Sequence, residues 1–248
     1  SASPVPSISP YISPKTVTPV ATPSALKLAT ISEGTQLSQS QLKLTFWLVQ
    51  LASLLFTMAN VGLTDVLPVW LSSPTDSAGG GLGLSSSTIG GLQSSTGFGN
   101  IALALFFTFR IINTLGPVRT FTISMYANAV AAFCVPAIGL LPVDAPQAAS
   151  TILACFSYVA VAAARNMMFA TAIMLSKESA PGGPGVAIGI NQSACSLGAA
   201  LGPMLCGLGY TQSLLILRTS TPFFTALGVV GLLPGVITQL NTPRWPWH

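Results

Sequence analysis

Eight residues carry the chemistry on offer within the apolar stretches of this sequence: Asn60, Asp65, Gln93, Asn100, Tyr158, Arg165, Asn191 and Gln192. Arg165 sits within AVAAARNMMFATAIM, which holds no other charge, and a charge in lipid needs a partner. It either faces a cavity and attracts an anionic group, of a solute or of another part of the protein, or it snorkels to an aqueous interface. Asp65 has two readings as well. Buried, it is a candidate for proton coupling; at the outer mouth, it is a wetted interfacial carboxylate. Arg165 lies roughly 25 Å and Asp65 roughly 9 Å from the outer ends of their helices at ~1.5 Å per residue. That difference in depth keeps them from being a simple ion pair.

The elements that must position these groups are long apolar helices. Residues 44–71, LTFWLVQLASLLFTMANVGLTDVLPVWL, are long enough to cross the ~30 Å hydrocarbon core of a bilayer. Gln50, Ser53, Thr57, Asn60 and Thr64 recur at helical spacing and form one polar stripe. Such a stripe either packs against other helices or lines a wet cavity, because acyl chains leave its polar groups unpaired. A second span, about 88–114, is capped by Ser86 or Ser87 and carries Gln93, Gly97, Asn100 and Ala104 along one side. The third is about 121–141. The fourth, about 148–176, aligns Thr151, Cys155, Tyr158, Ala162 and Arg165. The fifth, about 186–210, aligns Asn191, Cys195, Gly198, Gly202 and Cys206, and its Gly198 and Gly202 let another backbone approach closely. The sixth is about 222–240, with Pro234 as a kink.

Composition agrees with six spans. Of 248 residues, 50% are hydrophobic and only 6% charged, against the roughly 25% charge of ordinary soluble domains, so the class is an all-α polytopic membrane protein. The net charge of +4 is then a matter of topology rather than of nucleic-acid binding. Lys15, Lys27, Lys43, Arg110, Arg119, Lys177 and Arg244 fall on one side of the six-span layout, and only Arg218 among the loop cations on the other. The positive-inside rule makes both termini cytosolic, with Asp76 and Asp144 opposite.

Residues 1–43 are a different material, with six prolines and six serines in the first 24 positions and no hydrophobic period. They read as a disordered cytosolic linker. Its five Ser-Pro or Thr-Pro pairs suit proline-directed phosphorylation or are simply linker composition. The absence of an initiator Met before Ser1 reads as a fragment or processed piece. Residues 241–248 read as a cytosolic tail.

Enzyme signatures fail. The sole histidine is His248, so triads, histidine-ligated metal sites and histidine-box oxygenases lack their parts, and no P-loop is present. No cofactor and no metal are expected. The four cysteines, Cys134, Cys155, Cys195 and Cys206, read as small packing residues.

Three stretches carry a resemblance: the glycine-rich approach GLGLSSSTIG to the second span, the short basic loop Arg110 to Arg119 with Gly116 (RIINTLGPVR), and the fifth span GVAIGINQSACSLGAALGP. They resemble the carboxy-terminal six-helix half of a major facilitator superfamily transporter over residues 44–240, nearest to its zinc-induced-facilitator-like and multidrug-type proton-coupled members. The basic loop lacks the aspartate of the fuller motif. The resemblance implies two three-helix repeats and alternating access, in which two lobes rock around a midplane site. It also implies a missing amino-terminal half as partner, small-molecule substrate and protons as cargo, and a plasma or vacuolar membrane. The path would be lined by the first, second, fourth and fifth spans, where Asn60, Gln93, Asn100, Tyr158, Arg165, Asn191 and Gln192 lie. A non-transporting membrane scaffold or interaction protein is the alternative.

Overall fold

The computed structural model describes residues 39–74, 80–139, 147–180 and 182–241. Most of the expected linker with its Ser-Pro and Thr-Pro pairs, the loop residues Asp76 and Asp144, the end of the third span at 140–141, and the tail with Arg244 and His248 lie outside the described residues. Among the described residues every regular element is helical, and six rods are long and apolar enough to cross a membrane. We label them α1 (Gln39–Ser72), α2 (Ser86–Leu115), α3 (Pro117–Gly139), α4 (Gln147–Ser179), α5 (Pro184–Leu217) and α6 (Thr221–Asn241). Helices are what such sequences must form in lipid, because a helix satisfies its own backbone where no water can.

Local sequence sets where each rod starts and stops. The cap of α2 is Ser85, one residue before the expected pair: it adopts extended geometry, and its hydroxyl accepts from the Thr88 N–H at 3.2 Å. Gly116 alone separates α2 from α3, with a φ of 79° that favours glycine, and Pro117 then opens α3. Gly183, with a φ of 90°, stands before Pro184 in the same way at the start of α5. Both α2 and α5 contain a π-helical turn, at Ala104–Thr108 and Ser213–Leu217. The second is fastened by the Ser213 hydroxyl, which donates to the Thr219 carbonyl at 2.6 Å.

α1 occupies the centre, against α4, α5 and α6, while α3 packs on α4 and α6. α2 stands to one side, chiefly against α4. The closest approach is α1 on α5, where Gly198 and Gly202 meet backbone: a β-carbon on Gly198 would lie 2.6 Å from the Leu54 carbonyl oxygen. No larger residue fits there without parting the helices.

Two apolar clusters form the interior. One gathers Val49, Phe56, Phe121, Met125, Met168 and Leu175; the other gathers Leu63, Leu67, Trp70, Tyr210, Phe223 and Phe224, with Trp70 edge-on to Phe224 at 5.8 Å between ring centres. Between them is a polar level. There the Asn60 amide donates to the Asn128 side-chain oxygen at 2.7 Å and to the Val161 carbonyl at 3.1 Å, joining α1, α3 and α4. A second polar knot lies nearer the start of α1, where Gln50 donates to the Ser176 hydroxyl at 2.9 Å and accepts from the Asn191 amide at 3.0 Å. Most of the α1 stripe is therefore consumed in packing. Gln50, Ser53, Thr57 and Asn60 are all buried, and Thr64 is the member of the stripe that reaches the cavity described next.

Candidate functional site: a polar cavity between α1, α2 and α4

A cavity of about 250 Å³ opens between three helices. α2 contributes Gln93, Thr96, Gly97 and Asn100, and α4 contributes Tyr158, Val161, Ala162 and Arg165. In each helix these positions run i, i+3, i+4, i+7, which is one face of an α-helix. Thr64 of α1 closes the third side. Gly97 opens room for the space, because a β-carbon built on it meets nothing within 4 Å.

The hydrogen-bond inventory of the walls is lopsided. Thr64 and Thr96 spend their hydroxyl protons on their own helix, on the Asn60 and Leu92 carbonyls at 2.8 and 2.7 Å. Only their lone pairs remain for a visitor. Asn100 takes the Asn166 amide on its side-chain oxygen, a bond that clamps α2 to α4 and leaves the Asn100 NH₂ free to donate. The Tyr158 hydroxyl is buried without a hydrogen-bond partner, with the Gln93 side chain as a polar neighbour. Arg165 is half-buried and forms no ion pair or hydrogen bond among the described residues. It stands near the middle of the 33-residue α4, with 18 residues before it and 14 after, so the rod's ends are both remote.

The two described acidic residues do not compensate it. Asp65 is exposed and outside the cavity, and Glu178 is exposed at the end of α4. Of the remaining expected path residues, Asn60 and Asn191 are buried in the two interhelical knots rather than on the cavity wall, because each finds amide or hydroxyl partners on the neighbouring helix. Gln192, one residue on from Asn191 and so about 100° around α5, is exposed and away from the cavity. α5 thus lends this cavity no side chain. Arg110 and Arg119 are exposed at the ends of the α2–α3 joint. Sequence reasoning passed over Asn166, which lies on the flank of the Tyr158–Arg165 face; its signal was an amide beside a lone arginine in an otherwise apolar run.

A second cleft, about 320 Å³, lies beside the π turn of α5 and the start of α6 among Gly209, Ile216, Leu217, Phe223 and Ala226. It carries no charged group. Its lining is mostly apolar, with Gln212 and Ser213 as the polar members.

The arrangement of the first cavity can hold a small polar solute and favours negative charge. Compared with protein-family models, with curated proteins and with solved structures, the chain matches none of them.

Proposed function

We propose that this chain is one six-helix lobe of a secondary carrier that moves a small solute by alternating access, built on the plan of the carboxy-terminal half of a major facilitator. The observation that carries the reading is the cavity itself: polar groups of three helices around a mid-helix arginine without a counter-ion among the described residues. Thr96 and Tyr158 are buried and Thr64, Asn100 and Arg165 half-buried, and holding an unpaired guanidinium in an apolar rod costs free energy that packing alone does not return.

The packing plan supports it. Exchange of α1, α2 and α3 for α4, α5 and α6 turns the pair α1–α5 into α4–α2 and the pair α3–α4 into α6–α1, and both members of each exchange are packed pairs. That is the pattern two three-helix repeats would give. α2 is the least enclosed rod, which leaves a flank for a second lobe. In this reading Lys43, Arg110, Arg119 and Lys177 share the cytosolic side, and both termini lie there.

The test is transport by the purified protein containing this chain, reconstituted in liposomes and screened with labelled small solutes. We expect saturable uptake that falls at least about tenfold in Gly97→Leu, whose side chain fills the cavity, without a lower melting temperature. A protein with no saturable uptake of any solute, or one whose uptake is indifferent to Gly97→Leu, overturns the reading.

A further inference from the structure

From the walls of the cavity we infer that its occupant is a small organic monoanion, held by its carboxylate on Arg165 and Asn100. The inference rests on the carrier reading for the cavity being open to solutes. Around the cavity, hydrogen-bond donors outweigh the acceptors that face them. Arg165 offers its guanidinium donors and Asn100 its NH₂, all of them without acceptors among the described residues. Tyr158 holds a buried hydroxyl that makes no well-formed hydrogen bond and has the Gln93 side chain as its polar neighbour. The acceptors that face them are the Thr64 and Thr96 oxygens, already anchored to the backbone, and the Gln93 side-chain carbonyl, all of them neutral and none a match for the guanidinium charge.

A cavity with this surplus of donors is incomplete until an acceptor-rich group enters. The planar fork of arginine matches a carboxylate in two parallel bonds. One cation neutralises one charge; a dianion would bring a second into a low-dielectric space that holds no further cation. Val161, Ala162 and Gly97 complete the wall with apolar surface, which suits a hydrocarbon body behind the carboxylate. The volume is slightly below the ~300–1,000 Å³ of whole small-molecule pockets, as expected of a wall contributed by one lobe.

The experiment uses the full-length purified protein in lipid nanodiscs and four probes of one shape: benzoate, benzamide, phenyl phosphate and benzylamine. Binding is read by calorimetry and by the shift in melting temperature at constant ionic strength with chloride. We expect benzoate to bind at least about tenfold more tightly than benzamide, the weight of a charge-assisted hydrogen bond. Phenyl phosphate should be weaker than benzoate, and benzylamine should not bind. Arg165→Gln should bring the benzoate-to-benzamide ratio to about one, and Arg165→Lys, a point charge without the fork, should restore part of it. Tyr158→Phe leaves the unliganded melting temperature unchanged or higher, since it removes an unpaired buried hydroxyl, yet weakens benzoate several-fold.

Equal binding of benzoate and benzamide, preference for phenyl phosphate, or discrimination that survives Arg165→Gln overturns the inference. So does an Arg165→Gln variant that melts lower when the wild type binds none of the probes, which would make Arg165 the partner of a carboxylate elsewhere in the protein. The two readings fail separately. Arg165-dependent benzoate binding with no uptake of any labelled solute sinks the carrier and keeps the anion site; saturable uptake of a neutral solute with no benzoate preference does the reverse.

Discussion

At the scale of single residues, the molecule separates polar groups that share one appearance in the sequence. Asn60 and Asn100 are both amides at helical spacing in apolar rods, yet Asn60 ties α1 to α3 and α4, whereas Asn100 keeps its NH₂ for the cavity. Replacing Asn60 by Ala should therefore lower stability by about 1–2 kcal/mol, as should Asn128→Ala, and the double variant should lose less than the sum. Thermal unfolding of the three variants in one detergent measures this; full additivity would show that the bond contributes nothing. The residues legible in advance were those with charge or periodicity on their side. Gln93 and Asn100 share one face of α2, Tyr158 and Arg165 one face of α4, and all four line the cavity. Asn60 and Asn191 obey the same intervals. Periodicity says which residues share a face, but what stands opposite that face is a property of another helix.

At the scale of elements, the six rods were legible because a membrane span leaves so little latitude: apolar length, a glycine or proline at most stops, and few charges. The stops are concrete at Gly116 and at Gly183–Pro184. What sequence did not reveal are the two π turns, which depend on how a rod is accommodated near its end rather than on any one residue type. Helix spacing gives the sharpest test at this scale. A β-carbon on Gly202 would crowd the Met58 carbonyl and come within 3.2 Å of the Gly62 nitrogen, both backbone atoms that cannot rotate away. Gly202→Ala should cost about 1–3 kcal/mol by forcing α1 and α5 apart. Gly97→Ala, at an open position in the middle of α2, should instead be neutral or gain up to about 1 kcal/mol in helix propensity. Melting temperatures that move alike in the two variants would contradict the close approach of α1 and α5.

At the scale of the whole molecule, the open cavity and the packed polar knots differ in their access to water. Single cysteines at Gln93 and Asn100 in a background without the native cysteines should react with a membrane-impermeant maleimide, and benzoate should protect Gln93→Cys, which leaves Arg165 and Asn100 in place. Cysteines at Asn60 and Asn191 should stay unlabelled until the protein is unfolded. Labelling in the opposite order would place water among the packed knots and leave the cavity dry. The cavity also owes its width to an asymmetry in how its walls are held. α4 is wedged among neighbours on several sides, whereas α2 leans chiefly on α4, with Gly99 facing Val159 and the Asn166–Asn100 clasp between them. Displacing α2 therefore disturbs less packing than displacing α4, so of the two long walls the one without the positive charge is the cheaper to tilt.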